Sequence, residues 1–189
     1  MRRPFFWIAA CFVFLIPALT MRLISDERRT GSLQILGTLP ITHAEIVVGK
    51  WLAAVTLVAL ALGLTATWPL ALASLGELDW GPVAGGYLGL LLAGATFAAI
   101  SIAASALTES QVIAFLLSLT ACLIPWLIGF ALPLMPPSWL PVVEYLAFEY
   151  HFSNLARGVI DSRSLVFFAT VIAVALRLAV LILDHRRLA

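Results

Sequence analysis

The segment from Leu19 to Trp51, LTMRLISDERRTGSLQILGTLPITHAEIVVGKW, sets the reading of the whole chain. It places charges, a short amphipathic turn and a Thr-Leu-Pro stop between two long apolar runs. Residues 21–29, MRLISDERR, carry the first run onward as a charged extension in which Asp26 and Glu27 alternate with Arg22, Arg28 and Arg29. In TGSLQILGTLP, residues 30–40, Thr30 or Ser32 can cap a new helix. Leu33, Leu36 and Leu39 share one of its faces, and Pro40 ends it. Thr42 then fits an N-cap, with Glu45 three residues on to complete a capping box. Lys50 and Trp51 suit a membrane interface. The elbow over residues 25–47 is too short to be a domain and too patterned to be a slack loop. Its short helix has the dimensions of a peg for a groove on another protein, or of a helix lying on the lipid surface.

The flanking runs dominate the composition: the 189 residues are 62% hydrophobic and only 11% charged, with a mean hydropathy of +1.07. That is the composition of a membrane protein. A formal net charge of +1 provides no basic surface for nucleic acid. Cys11 and Cys122 lie inside apolar runs without metal or redox spacing and read as small packing or lipid-facing residues.

About 20 apolar residues span the hydrocarbon as a helix. Five runs qualify, at residues 5–24, 48–71, 83–107, 112–134 and 165–183. They are too continuous for the roughly 10-residue alternating strands of a barrel, so they read as helices. The expected fold is an all-α integral membrane protein, a single transmembrane domain over residues 1–189. Arg22, Arg28, Arg29, Lys50, Arg186 and Arg187 put the elbow and the C-terminus in the cytoplasm, while LGELDWGP, residues 75–82, has acids and no base and belongs outside. The Pro-rich segment at residues 135–164 is then also outside, as a re-entrant helical hairpin capped by Ser153 or Asn154, with Arg157 and Asp161 spaced as an i,i+4 pair. Five helices leave Arg2 and Arg3 on the outer side, against the usual bias. A basic start before an apolar middle also fits a signal peptide, but no small-residue cleavage site precedes the charges.

Chemistry-bearing residues are few. Glu144, Glu149, Tyr150 and His151 gather in EYLAFEYHF, yet the spacing is not Glu-x-x-His and no third ligand lies near, so a structural role outweighs metal or acid–base chemistry. Gly49–Lys50 lacks the Ser/Thr and the earlier glycine of a P-loop. Arg177 stands alone inside a spanning run, where an intramembrane charge costs about 2.5–3.5 kcal/mol. It can snorkel to the cytoplasmic rim or serve function, and Asp184 lies two turns on along the same face. Glu109, in the turn after the third run, reads as sitting in cytoplasmic water. Gly85, Gly89 and Gly94 begin a small-residue stripe continued by Ala98, Ser101 and Ser105, for internal packing or for a dimer face. Pro125 predicts a kink in the fourth run.

Residues 17–54 resemble the permease subunits of type-2 ABC transporters, matching at Leu19–Arg22, Glu27–Arg29, Gly31–Leu33, Leu36, Thr38, Pro40, Glu45, Gly49 and Lys50. A second stretch, HFSNLARGVIDSRSLVFF at residues 151–168, resembles the last extracytoplasmic segment of the gliding-motility (GldF-type) branch, with His151, Asn154, Arg157, Gly158 and Asp161 in it; HRRL at residues 185–188 fits that branch's basic tail. The resemblance implies a permease of an exporter in the inner (cytoplasmic) membrane, working with a second permease subunit, identical or different, and a separate ATPase. The chain itself is then no enzyme and binds no cofactor; ATP and Mg belong to that ATPase. Glu27, Arg28, Arg29, Gly31, Ser32, Leu33, Leu36, Thr38, Pro40 and Glu45 would form the ATPase-coupling region. Members of this kind have six spanning helices, so a chain starting this close to Pro17 is expected to lack the first. A membrane scaffold without transport is the alternative reading.

Overall fold

Backbone polar groups inside hydrocarbon have only one another as partners, which confines a spanning chain of this composition to helices. The computed structural model describes residues 2–29, 42–74, 79–131, 136, 143–145, 147–159 and 161–187, without the side chains of residues 2, 3, 27–29, 130, 131, 186 and 187. Its elements are α1 (Arg2–Thr20), α2 (Arg22–Arg29), α3 (His43–Thr65), α4 (Thr67–Ala73), α5 (Trp80–Leu107), α6 (Gln111–Ala131), α7 (Phe148–Ala156) and α8 (Ser162–Arg187). Among the described residues there is no strand. Five stretches are long and apolar enough to cross a membrane: Pro4–Asp26, His43–Ala73, Trp80–Leu107, Gln111–Gly129 and Ser162–His185.

The chain is thus an all-α, multi-pass membrane protein with spans close to the expected ones. The second begins at His43 rather than Val48, because the capping box forms: Glu45 N donates to Thr42 Oγ1 at 3.3 Å and Thr42 N to Glu45 Oε2 at 2.9 Å. The same span breaks at Ala66, whose N–H makes a tight bond to Gly63 O at 3.1 Å. Pro69 accounts for the break, since it lacks an N–H and its ring would crowd the carbonyl of Thr65; it sits instead in the first turn of α4. Pro125 lies inside α6 and Pro17 inside α1.

α5 is the hub: 72% of its spanning window is buried, against 17–33% for the other four, and it packs on α1, α2, α3, α6, α7 and α8. Lipid tails are as apolar as leucine, so close approach decides which helices associate, and α5 is the helix built for it. Gly85, Gly86, Gly89, Gly94, Ala98, Ser101 and Ser105 are all buried along it. A Cβ at Gly85 would be driven into the carbonyl oxygen of Leu155 and stand 3.0 Å from Gly158 Cα; at Gly89 it would press on Leu155 and Phe152 of α7. At Gly94 it would meet Val58 of α3 at 2.7 Å. The small-residue face is therefore filled by this chain's own helices.

We call the Trp80 end of α5 its upper end and the Leu107 end its lower end. α7 turns back into the bundle and runs along α5 from Phe97, a little below its middle, to Gly85 near its upper end. Phe148, its first residue, stacks on Phe97 at 4.8 Å and lies 5.7 Å from Trp126, while its last turn reaches Gly85. Two expectations need correction. Ser153 and Asn154 are inside α7 rather than capping it; the N-cap is Ala147, and Ser153 Oγ donates back to Tyr150 O at 3.0 Å. Arg157 and Asp161 do not share a helix, because α7 stops in a Schellman turn: Gly158, at φ +81, donates to Leu155 O at 2.9 Å and Val159 N to Asn154 O at 3.2 Å. Asp161 begins α8 instead, accepting from Arg163 N at 3.0 Å.

Gly85→Ala should lower the thermal midpoint of the detergent-solubilised chain by several degrees, as overpacking costs about 1–3 kcal/mol. Gly63→Ala, with nothing within 4 Å of the new methyl, should leave the midpoint unchanged or raise it slightly. Equal midpoints for the two variants would show that α7 is not seated tightly on α5.

Candidate functional site

Two helices flank residues 30–41, and each is tied to the lower end of the bundle. Gly31, Ser32, Leu33, Leu36, Thr38 and Pro40 themselves lie outside the described residues, as do the side chains of Glu27, Arg28 and Arg29. What is described is the mounting on either side of them.

On the incoming side, α1 and α2 meet at Met21. Here the hydroxyl of Ser105, on α5, enters the helix ladder. It accepts from Ser25 N at 3.1 Å and donates to Met21 O at 2.9 Å. A side chain inserted between residues i and i−4 is a recognised cause of a helix bend, and here it makes the joint part of α5. The second lone pair of Met21 O takes the Ser25 hydroxyl. Below the joint, Ile24 is buried with Val47, Ile102, Ala106, Ala179 and Leu183, a cluster to which α2, α3, α5 and α8 all contribute. Gln111 Nε2, at the start of α6, donates to Asp26 Oδ1.

On the outgoing side, the capping box fixes where α3 begins. His43, its first residue, has Nδ1 2.6 Å from Asp184 Oδ1 near the end of α8. A carboxylate only accepts, so Nδ1 carries the proton in this bond. Lys50 Nζ donates to Leu23 O and so closes α3 onto α2. The next residue, Trp51, donates its Nε1 hydrogen to Ala95 O at 2.9 Å, joining α3 to α5. Asp184 is thus engaged by His43 and not by Arg177, which is exposed on α8. Glu109 is exposed in the turn between α5 and α6.

None of these long-range partners was legible in the sequence. In the sequence Ser105 is one more small residue of a stripe, and nothing there pairs His43 with Asp184. They are 141 residues apart, and no periodicity links them. The capping box, by contrast, is a local pattern and was legible.

The other candidate cluster, at the upper end, is a structural joint. His151 is 1% exposed. Its Nε2 lies 2.9 Å from Tyr145 O, which can only accept, so Nε2 bears the hydrogen and Nδ1 takes the hydroxyl of Ser164 at 3.2 Å. The ring stacks on Phe167 at 4.2 Å. With both nitrogens engaged, His151 joins three segments: the turn at residues 143–145, α7 and α8. Glu149 packs over Gly129 of α6. Among the described residues no three His, Cys, Asp or Glu side chains gather as a metal site. Of the two cysteines, Cys11 is exposed and Cys122 buried.

The family model described as ABC-2 family transporter protein matches residues 5–183, nearly the whole chain. No curated protein matches.

Ser105→Ala should speed amide exchange at Ser25 by about tenfold, the loss of roughly one hydrogen bond of about 1–1.5 kcal/mol, while the amides of α7 keep their rates. An unchanged rate at Ser25 would mean that the α1–α2 joint does not depend on α5.

Proposed function

Because the chain belongs to the ABC-2 family of transporter proteins, we propose that it is the permease subunit of an exporter in the cytoplasmic membrane, driven by ATP hydrolysis in a separate ATPase. The lower end is the cytoplasmic one in this reading. Residues 31–39 form the coupling peg, seated in a cleft of the ATPase, and a second permease subunit completes the path. The motif at residues 151–168 favours the gliding-motility branch of the family. ATP and Mg are held by the ATPase.

The observation that carries this reading is the double mounting of the segment at residues 30–41. α2 is locked to α5 through Ser105 and to α6 through Gln111. α3 is locked to α8 through His43 and Asp184, and to α2 through Lys50. A push on the intervening segment therefore has no slack to take up. It reaches the most buried helix and the last spanning helix through short polar contacts and the Ile24–Val47–Ile102 cluster. Arg22, exposed at the head of α2, supplies polar surface that a soluble ATPase can meet.

A cysteine replacing Leu36 should cross-link to a cysteine in the ATPase cleft, with a yield that changes between ATP-bound and nucleotide-free states. Leu36→Glu should reduce stimulation of the ATPase by the chain in liposomes severalfold without lowering the chain's own thermal midpoint. Absence of a cross-link in every nucleotide state would sink the coupling role, and ATPase rates unaffected by the chain would favour the scaffold.

A further inference from the structure

Arg177 is a permanent cation on the outer surface of a spanning helix. It is exposed on α8, on a face where Ala169, Thr170, Ala173, Val174, Leu178 and Leu181 are exposed as well. Among the described residues it has no hydrogen bond or ion pair, and the acid on its own face, Asp184, is held by His43.

The depth of Arg177 makes that position costly. It lies eight residues above His185, where the span ends, about 12 Å at the rise of an α-helix. Side chains on a helix lean toward its N-terminus, and for α8 that direction is up, so the guanidinium is carried away from the lower rim. Ionisable side chains inside a membrane face a bundle interior, where they pair with one another. Arg177 faces away from the interior of this bundle. The interior it fits is one that another helix completes.

A second copy of the chain does not supply that helix. Two copies inserted the same way, and related by a twofold axis along the membrane normal, bring Arg177 to Arg177 at one depth. Like charges repel strongly in so poor a dielectric. The complement of the guanidinium is a carboxylate at the same depth. A carboxylate on a neighbouring helix reaches it only where the two backbones come close, and α8 permits this. One and two turns above Arg177 the outward side chains are Ala173, Thr170 and Ala169. The Thr170 hydroxyl is spent on Val166 O at 2.7 Å. Over residues 169–181 the recognition of a partner therefore falls to a single charge above which the surface is low and apolar.

We propose that the outer face of α8 docks a spanning helix of a different integral membrane polypeptide, and that this helix carries a glutamate or aspartate at the depth of Arg177. The planar guanidinium takes the carboxylate in a two-pronged, charge-assisted pair, which the surrounding hydrocarbon strengthens. The short side chains above let the two helices pack closely. This docking does not depend on the transport reading, nor on which side of the membrane the lower end faces.

The test uses the purified chain in neutral maltoside micelles, where an added helix can insert in either direction. The probe is a synthetic leucine–alanine helix of about 20 residues, with one glutamate as far from its end as Arg177 is from His185. Equilibrium binding should be at least about tenfold tighter than for the same helix with lysine in place of glutamate, the effect of one charge-assisted hydrogen bond. Arg177→Gln should erase the preference, and Arg177→Glu should turn it toward the lysine helix, both with unchanged helicity. Equal binding of the two probes to the unaltered chain overturns the proposal, as does a preference that survives in Arg177→Gln. Displacement of the glutamate helix by dodecyl phosphate at equal concentration overturns it too, because the site would then be one for a lipid headgroup. So does a disulfide between two copies of an Ala173→Cys variant in a Cys11→Ser background without the probe, since a second chain would then close the face.

Discussion

In lipid an apolar side chain gains nothing by leaving one apolar neighbour for another, so the bundle is held by how closely its backbones approach. α5 decides this. Glycine, alanine and serine line it from Gly85 to Ser105, and the remaining helices of the bundle settle against that thin rod. Where a methyl group would already collide, as at Gly85 and Gly94, the partner is α7 or α3 of the same chain. The small-residue surface that in isolation fits a dimer face is consumed in making the monomer's core.

The same smallness lets α5 take part in another helix's hydrogen bonding. A short side chain on a closely approaching helix, Ser105, places its hydroxyl between Ser25 N and Met21 O. The joint between α1 and α2 is therefore tied to the most buried element. On the opposite flank, His43 and Asp184 make the corresponding bond to α8. The lower end thus concentrates polar contacts between elements distant in sequence, while the middle of the bundle relies on aromatic stacking around Phe148 and the part above it on the doubly bonded His151.

Charge placement follows the same division. His151 is buried and uses both nitrogens on the protein, which gives it a place in the fold rather than in chemistry. Arg177 is the opposite case, a charge exposed on the outer surface of α8.

What the sequence settled alone were the features whose physics is local. Long apolar runs, compelled to be helical by the absence of water, gave the five spans to within a few residues, and the Thr42–Glu45 capping box placed the start of α3. Pro69 broke the second span through its missing N–H, and Gly158 ended α7 by adopting a left-handed conformation, both local effects whose consequences were harder to foresee. Tertiary structure decided which face of each helix is covered. It assigned the stripe at Gly85, Gly89 and Gly94 to internal packing, moved Asp161 from a pairing with Arg157 to the start of α8, and gave Asp184 to His43 instead of Arg177. A hydrogen bond between residues 80 or 141 positions apart leaves no periodic trace in a sequence, because its energy depends on how two helices happen to lie side by side.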